Sequence, residues 1–321
     1  MFWLLEEAEK AAQEVKEEVD RVPIIVKWVN HYFGHWAYRF EMKYTHPFWT
    51  WLLGKFGTTP EAAFGGPYTP ENAIPWYTVM FFIACILSVL IILVLRRKLS
   101  AEEPGYGQQT LELSVLTVRD MLEDVVGPHG LKYFPVVMTF AVLILVSNLM
   151  GMFPLFVSPT SATSVTFALG LSSFLYYNYI GVKENTMRSS GNPVIRVAKG
   201  IVLHLKHFAG PIWWIAPLIF PIELISNLIR PFSLGIRLFG NMFADEKVMD
   251  TIAHLFPPFT YWLVPVLLMP LSVFVAFIQT FVFVLLSQLY LSEVSHPPHD
   301  GKAEHGHAED ESEEFIVPVL T

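Results

Sequence analysis

Residues 74–95 read IPWYTVMFFIACILSVLIILVL, 22 residues without a charge, closed by Arg96, Arg97 and Lys98. At 1.5 Å per residue such a helix crosses a hydrocarbon core of about 30 Å. It therefore reads as a membrane span. The composition agrees: 53% of the 321 residues are hydrophobic and only 16% charged, against roughly 25% charged in an ordinary soluble domain. Cys85, inside this run, is the one cysteine, which excludes a disulfide framework and any multi-cysteine metal or iron–sulfur site. A formal charge of -8 opposes nucleic-acid binding, which needs a basic face.

Toward the C-terminus, LELSVLTVRDMLEDVVG places Leu111, Val115, Val118 and Leu122 on one helical face opposite Asp120, Glu123 and Asp124, as a helix on the membrane surface would. Residues 133–182 then contain no Asp, Glu, Lys or Arg. That run is too long for one span, and Pro154 with the SPTS turn at 158–161 splits it into a hairpin with helices over 134–157 and 162–182. A basic loop follows, carrying Lys183, Arg188, Arg196, Lys199 and Lys206. Two further helices, over 212–255 and 259–292, are separated near Pro257 and Pro258. They would be roughly 50 to 65 Å long, so they must tilt, bend or project from the bilayer. The expected fold is an all-α membrane protein with about five crossings plus surface amphipathic helices. Arg96–Lys98 and the 183–206 loop fall on one side of these crossings, which makes that side cytoplasmic and leaves the N-terminus outside and the C-terminus cytoplasmic.

The ends differ from this body. Residues 1–20 carry neither the basic n-region nor the cleavage site of a secretory signal, and Leu4, Ala8, Ala11, Val15 and Val19 recur at amphipathic helical spacing. Residues 22–73 are rich in aromatics, Pro and Gly, which suits an interfacial cap. The extension 1–73 is thus expected to be amphipathic or interfacial, and the acidic tail 293–321 to be disordered. Residues 1–20 hold seven acids and two bases, residues 293–321 eight acids and one base, and the remaining body 14 acids and 18 bases. The acidity belongs to the ends, and the channel-like body is slightly basic. His296, His299, His305 and His307 in the tail are solvated side chains among acids rather than a metal site.

Function is written in PIELISNLIRPFSLGIRLFGNMFADEK, residues 221–247, where charges sit inside membrane-grade sequence. At 100° per residue Glu223, Ser226, Asn227, Arg230, Ser233, Arg237, Asn241 and Asp245 share an arc of about 120°. Arg237 lies about 12 Å along the axis from Asp245 and about 21 Å from Glu223. An arginine at that depth costs at least ~2.5 to 3.5 kcal/mol and cannot shed its proton. It requires water or an anionic partner from another chain. Ser233, Gly235, Gly240 and Ala244 flank it with small side chains, which admits a neighbouring helix. On the last helix Ser272 and Gln279 are seven residues apart and share a face, with Ser287 and Gln288 beyond.

The motif ELISNLIRPFSLGIRLFGNMFADE resembles the a subunit of the F-type ATP synthase, the stator part of its membrane proton channel. QQTLELSV, KYFPVVMTF, SNLMGMFPLFVSPTS and HLKHFAGP carry the resemblance across about 100–292. It implies that Arg237 faces the carboxylate of each c-ring subunit in turn. It places Asn241, Asp245, Glu246, Ser272 and Gln279 in the half-channel from the outer side, and Glu223, Asn227, Arg230 and Ser233 in the cytoplasmic one. Where some members pair a histidine of the last helix with an acid of the long helix, this chain has Ser272, and Asp245 stands where glycine is frequent. The resemblance further implies a non-catalytic subunit with no cofactor or metal, partnered by the c-ring, b-type peripheral stalk subunits and the rest of the complex in the bacterial inner membrane.

Two other classes fit less well. A secondary transporter with a substrate-binding arginine usually shows internal repeats and helices broken at the midplane, and no repeat is visible. A haem-bearing membrane oxidoreductase needs histidines within its spans, whereas His204, His207 and His254 sit at span edges. No HExxH, GxSxG or P-loop pattern is present.

Overall fold

The computed structural model describes residues 23–55, 57–60, 69–96, 100, 102, 104–153, 156–188, 199–200, 216–253 and 259–295. The expected 1–20 helix, the HLKHFAGP stretch and the histidine-bearing tail lie outside these. Among the described residues the seven long elements are all helices: α1 (Ile24–Gly54), α2 (Trp76–Leu95), α3 (Tyr106–Val126), α4 (Phe134–Met150), α5 (Thr163–Arg188), α6 (Ala216–Ala253) and α7 (Phe259–Ser295). No strand occurs among them. The protein is an all-α membrane protein.

Among the described residues four stretches are long and apolar enough to cross a membrane: Trp76–Leu95, Pro128–Met150, Pro217–Met249 and Val266–Ser295. Helix α5, 26 residues long, has the length but not the apolarity, because Ser, Thr, Asn and Tyr recur along it. A polar helix of this kind is stable in a bilayer only where its hydroxyls meet other helices. Its Ser173 does so, with its hydroxyl 3.0 Å from that of Ser287 on α7.

Helix α4 stops at Met150, short of the 157 expected from hydropathy. Glycine follows it, and tight turns from Met152 N–H to the Leu149 carbonyl and from Phe153 N–H to the Met150 carbonyl close it off. The SPTS turn is not a loose surface loop. Ser158, Thr160 and Ser161 are buried. The Ser158 hydroxyl donates to the Ser147 carbonyl at 2.9 Å and contacts that of Thr160 at 2.7 Å, while the Thr160 hydroxyl donates to Asn148 Oδ1 at 2.7 Å. Helix α5 runs on past 182 through Lys183 to Arg188, where charge no longer opposes it.

The chain divides into two compact units, one of Met1–Phe174 with Ile229–Gln288 and the other of Leu175–Leu228 with Leu289–Thr321. In the first, Ile144, Val165, Leu169, Leu234, Leu238 and Phe283 form an apolar core. The core-facing residues of α6 here, Pro231, Leu234, Leu238 and Met242, recur at three and four residues, as one face of a helix must. Helices α5 and α6 touch backbone to backbone. A Cβ on Gly170 would stand 2.6 Å from the Pro231 carbonyl oxygen, and one on Gly235 3.2 Å from that of Thr166. Helix α3 buries Val118, Leu122 and Val126 and exposes Asp120, Glu123 and Asp124, in line with its sequence periodicity.

In the second unit Tyr177, Ile180, Asn227 and Leu291 are buried. The rings of Tyr177 and Tyr290 lie 5.7 Å apart.

Candidate functional site: the polar track of α6

The track can be followed residue by residue in the first unit. Arg230 is half-buried, and Ser233, Arg237 and Asn241 are exposed. Leu234 and Leu238, one residue further round, are buried. Arg237 therefore sits on an exposed face of α6, beside the face that Leu234 and Leu238 turn into the core. It has no hydrogen bond or ion pair among the described residues. Ser233, Gly240 and Ala244 beside it are also exposed, and among the described residues nothing beyond its own stretch of helix lies within 4 Å of a Cβ built on Gly240. Gly235, by contrast, serves the chain's own α5. The small residues split into two roles, with Gly235 used in packing and Gly240 left open.

Toward its C-terminal end the track turns into the bundle and meets α7. The Asn241 side-chain amide donates to the Gln279 carbonyl oxygen. One turn on, the Ser272 hydroxyl donates to Asp245 Oδ1 at 2.8 Å. Ser272 and Gln279 are both almost fully buried, so two of the four partners are screened from solvent and their polar atoms need partners. Four of the five residues expected on this side are brought together. Glu246 is not: it is exposed, and nine residues from Arg237 it lies about 180° round the helix. The motif match alone had placed it with the others.

In the second unit Asn227 is buried and bound. Tyr177 donates its hydroxyl to Asn227 Oδ1 at 2.7 Å, and Asn227 Nδ2 donates to Asn178 Oδ1 at 3.4 Å. Pro231 has no N–H to give the Asn227 carbonyl four residues earlier, and the Tyr177 hydroxyl lies 3.5 Å from that oxygen. Glu223 is half-buried.

The fold buries several polar groups, of which the sequence had marked Gln279 and Gln288 but not Ser147 and Asn148. Ser147 Oγ, Asn148 Nδ2, Gln279 Nε2 and both polar atoms of the Gln288 amide are buried with no hydrogen-bond partner among the described residues. An unmatched buried amide costs about 1–3 kcal/mol, so such groups mark places where a membrane protein admits water. The SNLM stretch carries the resemblance and SPTS also marks the hairpin turn, but neither spacing nor periodicity points to a buried polar cluster. Their apolar surroundings were the available signal. No cluster of three or more His, Cys, Asp or Glu side chains that could hold a metal occurs among the described residues.

Residues 78–292 match the family model described as ATP synthase A chain. The chain belongs to that family. It is 37% identical over 259 residues to ATP synthase subunit a 2 of Syntrophotalea carbinolica, covering 79% of this chain and 100% of the relative. It is 35% identical over 243 residues to ATP synthase subunit a of Solibacter usitatus, covering 75% and 92%. With ATP synthase subunit a of Geobacter sulfurreducens the identity is 38% over 206 residues, 64% of this chain and 82% of the relative. As an a subunit of the F-type ATP synthase, the chain is a multi-pass bacterial membrane protein belonging to that complex. The matched region contains α2 to α7 and the whole polar track, but not α1.

Proposed function

We propose that this a subunit supplies two offset aqueous half-channels and an essential arginine through which protons reach and leave the carboxylates of a c-ring. The observation that carries the reading is Arg237, exposed on an apolar helix beside the open Gly240 and unpaired among the described residues. A permanent cation in such a place needs an anion. A carboxylate on a passing helix satisfies it, and the small side chains of Ser233, Gly240 and Ala244 leave room for that helix.

The consequences follow from electrostatics. Beside Arg237 a ring carboxylate is favoured in its ionised form, so it releases its proton on one side and takes one up only after moving away. The same charge repels hydronium, which prevents a direct leak between the half-channels. Asn241, Asp245, Glu246, Ser272 and Gln279 serve the outer half-channel. Glu223, Asn227, Arg230 and Ser233 serve the cytoplasmic one. A proton falling through the potential contributes about 2.3 kcal/mol per 100 mV, which offset access turns into rotation. The subunit itself makes and breaks no bond. Its N-terminus is outside, its C-terminus is cytoplasmic, and b-type stalk subunits hold it still.

Disulfide mapping tests the contact. In a Cys85→Ser background, cysteine at Ser233 or Gly240 should cross-link to a cysteine beside the ring carboxylate, and cysteine at Glu246 should not. Cross-linking from Glu246 alone would place the ring on the opposite face and refute the reading.

A further inference from the structure

Helix α1 lies outside the matched region, and the channel reading makes no use of it. Between its tenth residue and its end, Phe33, Trp36, Phe40, Tyr44, Phe48 and Trp51 recur at intervals of three or four residues, which confines them to one stripe of about 120°. All six are between 51% and 66% exposed. A continuous aromatic face of this size needs an apolar neighbour.

The adjacent face is basic. His35, Arg39, Lys43 and His46 fall about 120° round the helix from the centre of the stripe. At the border the Lys43 ammonium lies 5.2 Å from the centre of the Tyr44 ring, and that of Lys55 lies 3.9 Å from the Trp51 ring. The helix holds one acid, Glu41, against Lys27, Arg39 and Lys43. Glu41 borders the stripe on the side away from the basic face, and burial pushes its carboxyl above the usual carboxylate range.

The position of α1 is fixed at the start of a span. Asn30 binds both backbone groups of Ile74: Nδ2 donates to the carbonyl at 3.0 Å, and the Ile74 N–H donates to Oδ1 at 3.0 Å. Val26 packs in one cluster with Val79 and Met80 of α2, and a Cβ on Gly34 would collide with the Pro70 carbonyl. Ile74 is two residues before Trp76, where the apolar span begins. The aromatic stripe thus starts within one turn of a residue tied to the point where the chain enters the bilayer. Trp and Tyr favour that level, and helices with one apolar and one basic face lie flat there. With Arg39, Glu41 and Lys43 at its middle, α1 lacks the apolarity to cross.

We propose that α1 is a membrane-surface helix. Its stripe from Phe33 to Trp51 is immersed at the headgroup–acyl boundary of the leaflet where α2 begins, and Arg39 and Lys43 bind anionic phospholipid headgroups. The helix would hold the start of α2 at a fixed depth in the bilayer.

Spin-label depth measurements on the intact ATP synthase complex test this, in nanodiscs of phosphatidylcholine alone or with added phosphatidylglycerol. In a Cys85→Ser background, nitroxides would be attached at Phe40→Cys, at Trp51→Cys and, on the basic side, at Thr50→Cys. The stripe labels should collide several-fold more with oxygen than with a water-soluble nickel chelate, and the Thr50 label should show the reverse. Phosphatidylglycerol should move the stripe labels deeper, and Arg39→Gln with Lys43→Gln should abolish that difference. Stripe labels as open to nickel as the Thr50 label would put the helix in water, and labels shielded from both reagents would show a protein covering the stripe. Either result overturns the proposal, and immersion indifferent to phosphatidylglycerol overturns its anionic-lipid part.

Discussion

The Ser272 hydroxyl of α7 donates a 2.8 Å hydrogen bond to Oδ1 of Asp245 on α6. The pair couples the two longest helices through a group that can carry a proton and one that can orient it. Asp245→Asn keeps the size and a hydrogen bond but removes the titratable group. With no proton-carrying group at this position, proton transport should slow by roughly ten- to hundredfold, equivalent to about 1.4–2.8 kcal/mol on the barrier, with a changed pH dependence. Ser272→Ala should cost less, about fivefold for a loss near 1 kcal/mol. ATP-driven acidification of inverted vesicles measures both, and an unchanged pH profile in Asp245→Asn would make the carboxylate structural.

A second contact spans the same helices one turn nearer Arg237. The Asn241 amide donates to Gln279, whose own Nε2 is buried and unmatched. Gln279→Leu removes the acceptor and the unmatched donor together, so the fold should tolerate it. Transport should fall, because a polar lining becomes apolar where water is needed. Thermal stability of the purified complex, read beside proton pumping, separates the two effects; a variant that pumps normally excludes Gln279 from the pathway.

Glycines on α5 and α6 should behave oppositely. Gly170→Ala places a methyl 2.6 Å from the Pro231 carbonyl oxygen, an overpacking that costs about 1–3 kcal/mol. Assembly yield should drop. Gly240→Ala meets no other helix among the described residues, so the subunit should fold and assemble while coupling to a neighbouring helix suffers. Equal assembly of both variants would contradict the close α5–α6 approach.

Gln288 is fully buried on α7, and neither end of its amide has a partner among the described residues. Gln288→Leu should leave assembly intact or improve it, by relieving an unmet demand of about 1–3 kcal/mol. If that amide holds water for proton transfer, as expected, transport in the variant falls several-fold. Unchanged transport would assign Gln288 to packing alone.

Much of this architecture was legible because two strong signals coincide. Runs such as 74–95 state their own length and solvent, and the spacing of Leu234, Leu238 and Met242 states which way α6 faces. Arg237 stood out because a permanent charge amid Leu, Ile and Phe has few physical explanations. What the sequence hid depends on side chains far apart in the chain. Nothing local indicates that Ser158 and Thr160 close on Ser147 and Asn148, or that Asn30 clamps Ile74. The end of α4 at Met150 was overrun because Leu149 to Phe156 remain apolar after the helix has stopped. Glu246 came from the motif match and not from the periodicity: it is 100° from Asp245 on the helix, and that rotation puts it outside the arc that the other polar residues share.

The most direct test of the central claim uses purified complexes in proteoliposomes, comparing the native enzyme with Arg237→Ala for ATP synthesis under an imposed proton gradient and for passive proton leak. An exposed arginine that both orders proton release and blocks a direct path predicts that synthesis is lost, the leak rises and the complex remains assembled. Near-normal synthesis by a fully assembled Arg237→Ala complex would contradict the account.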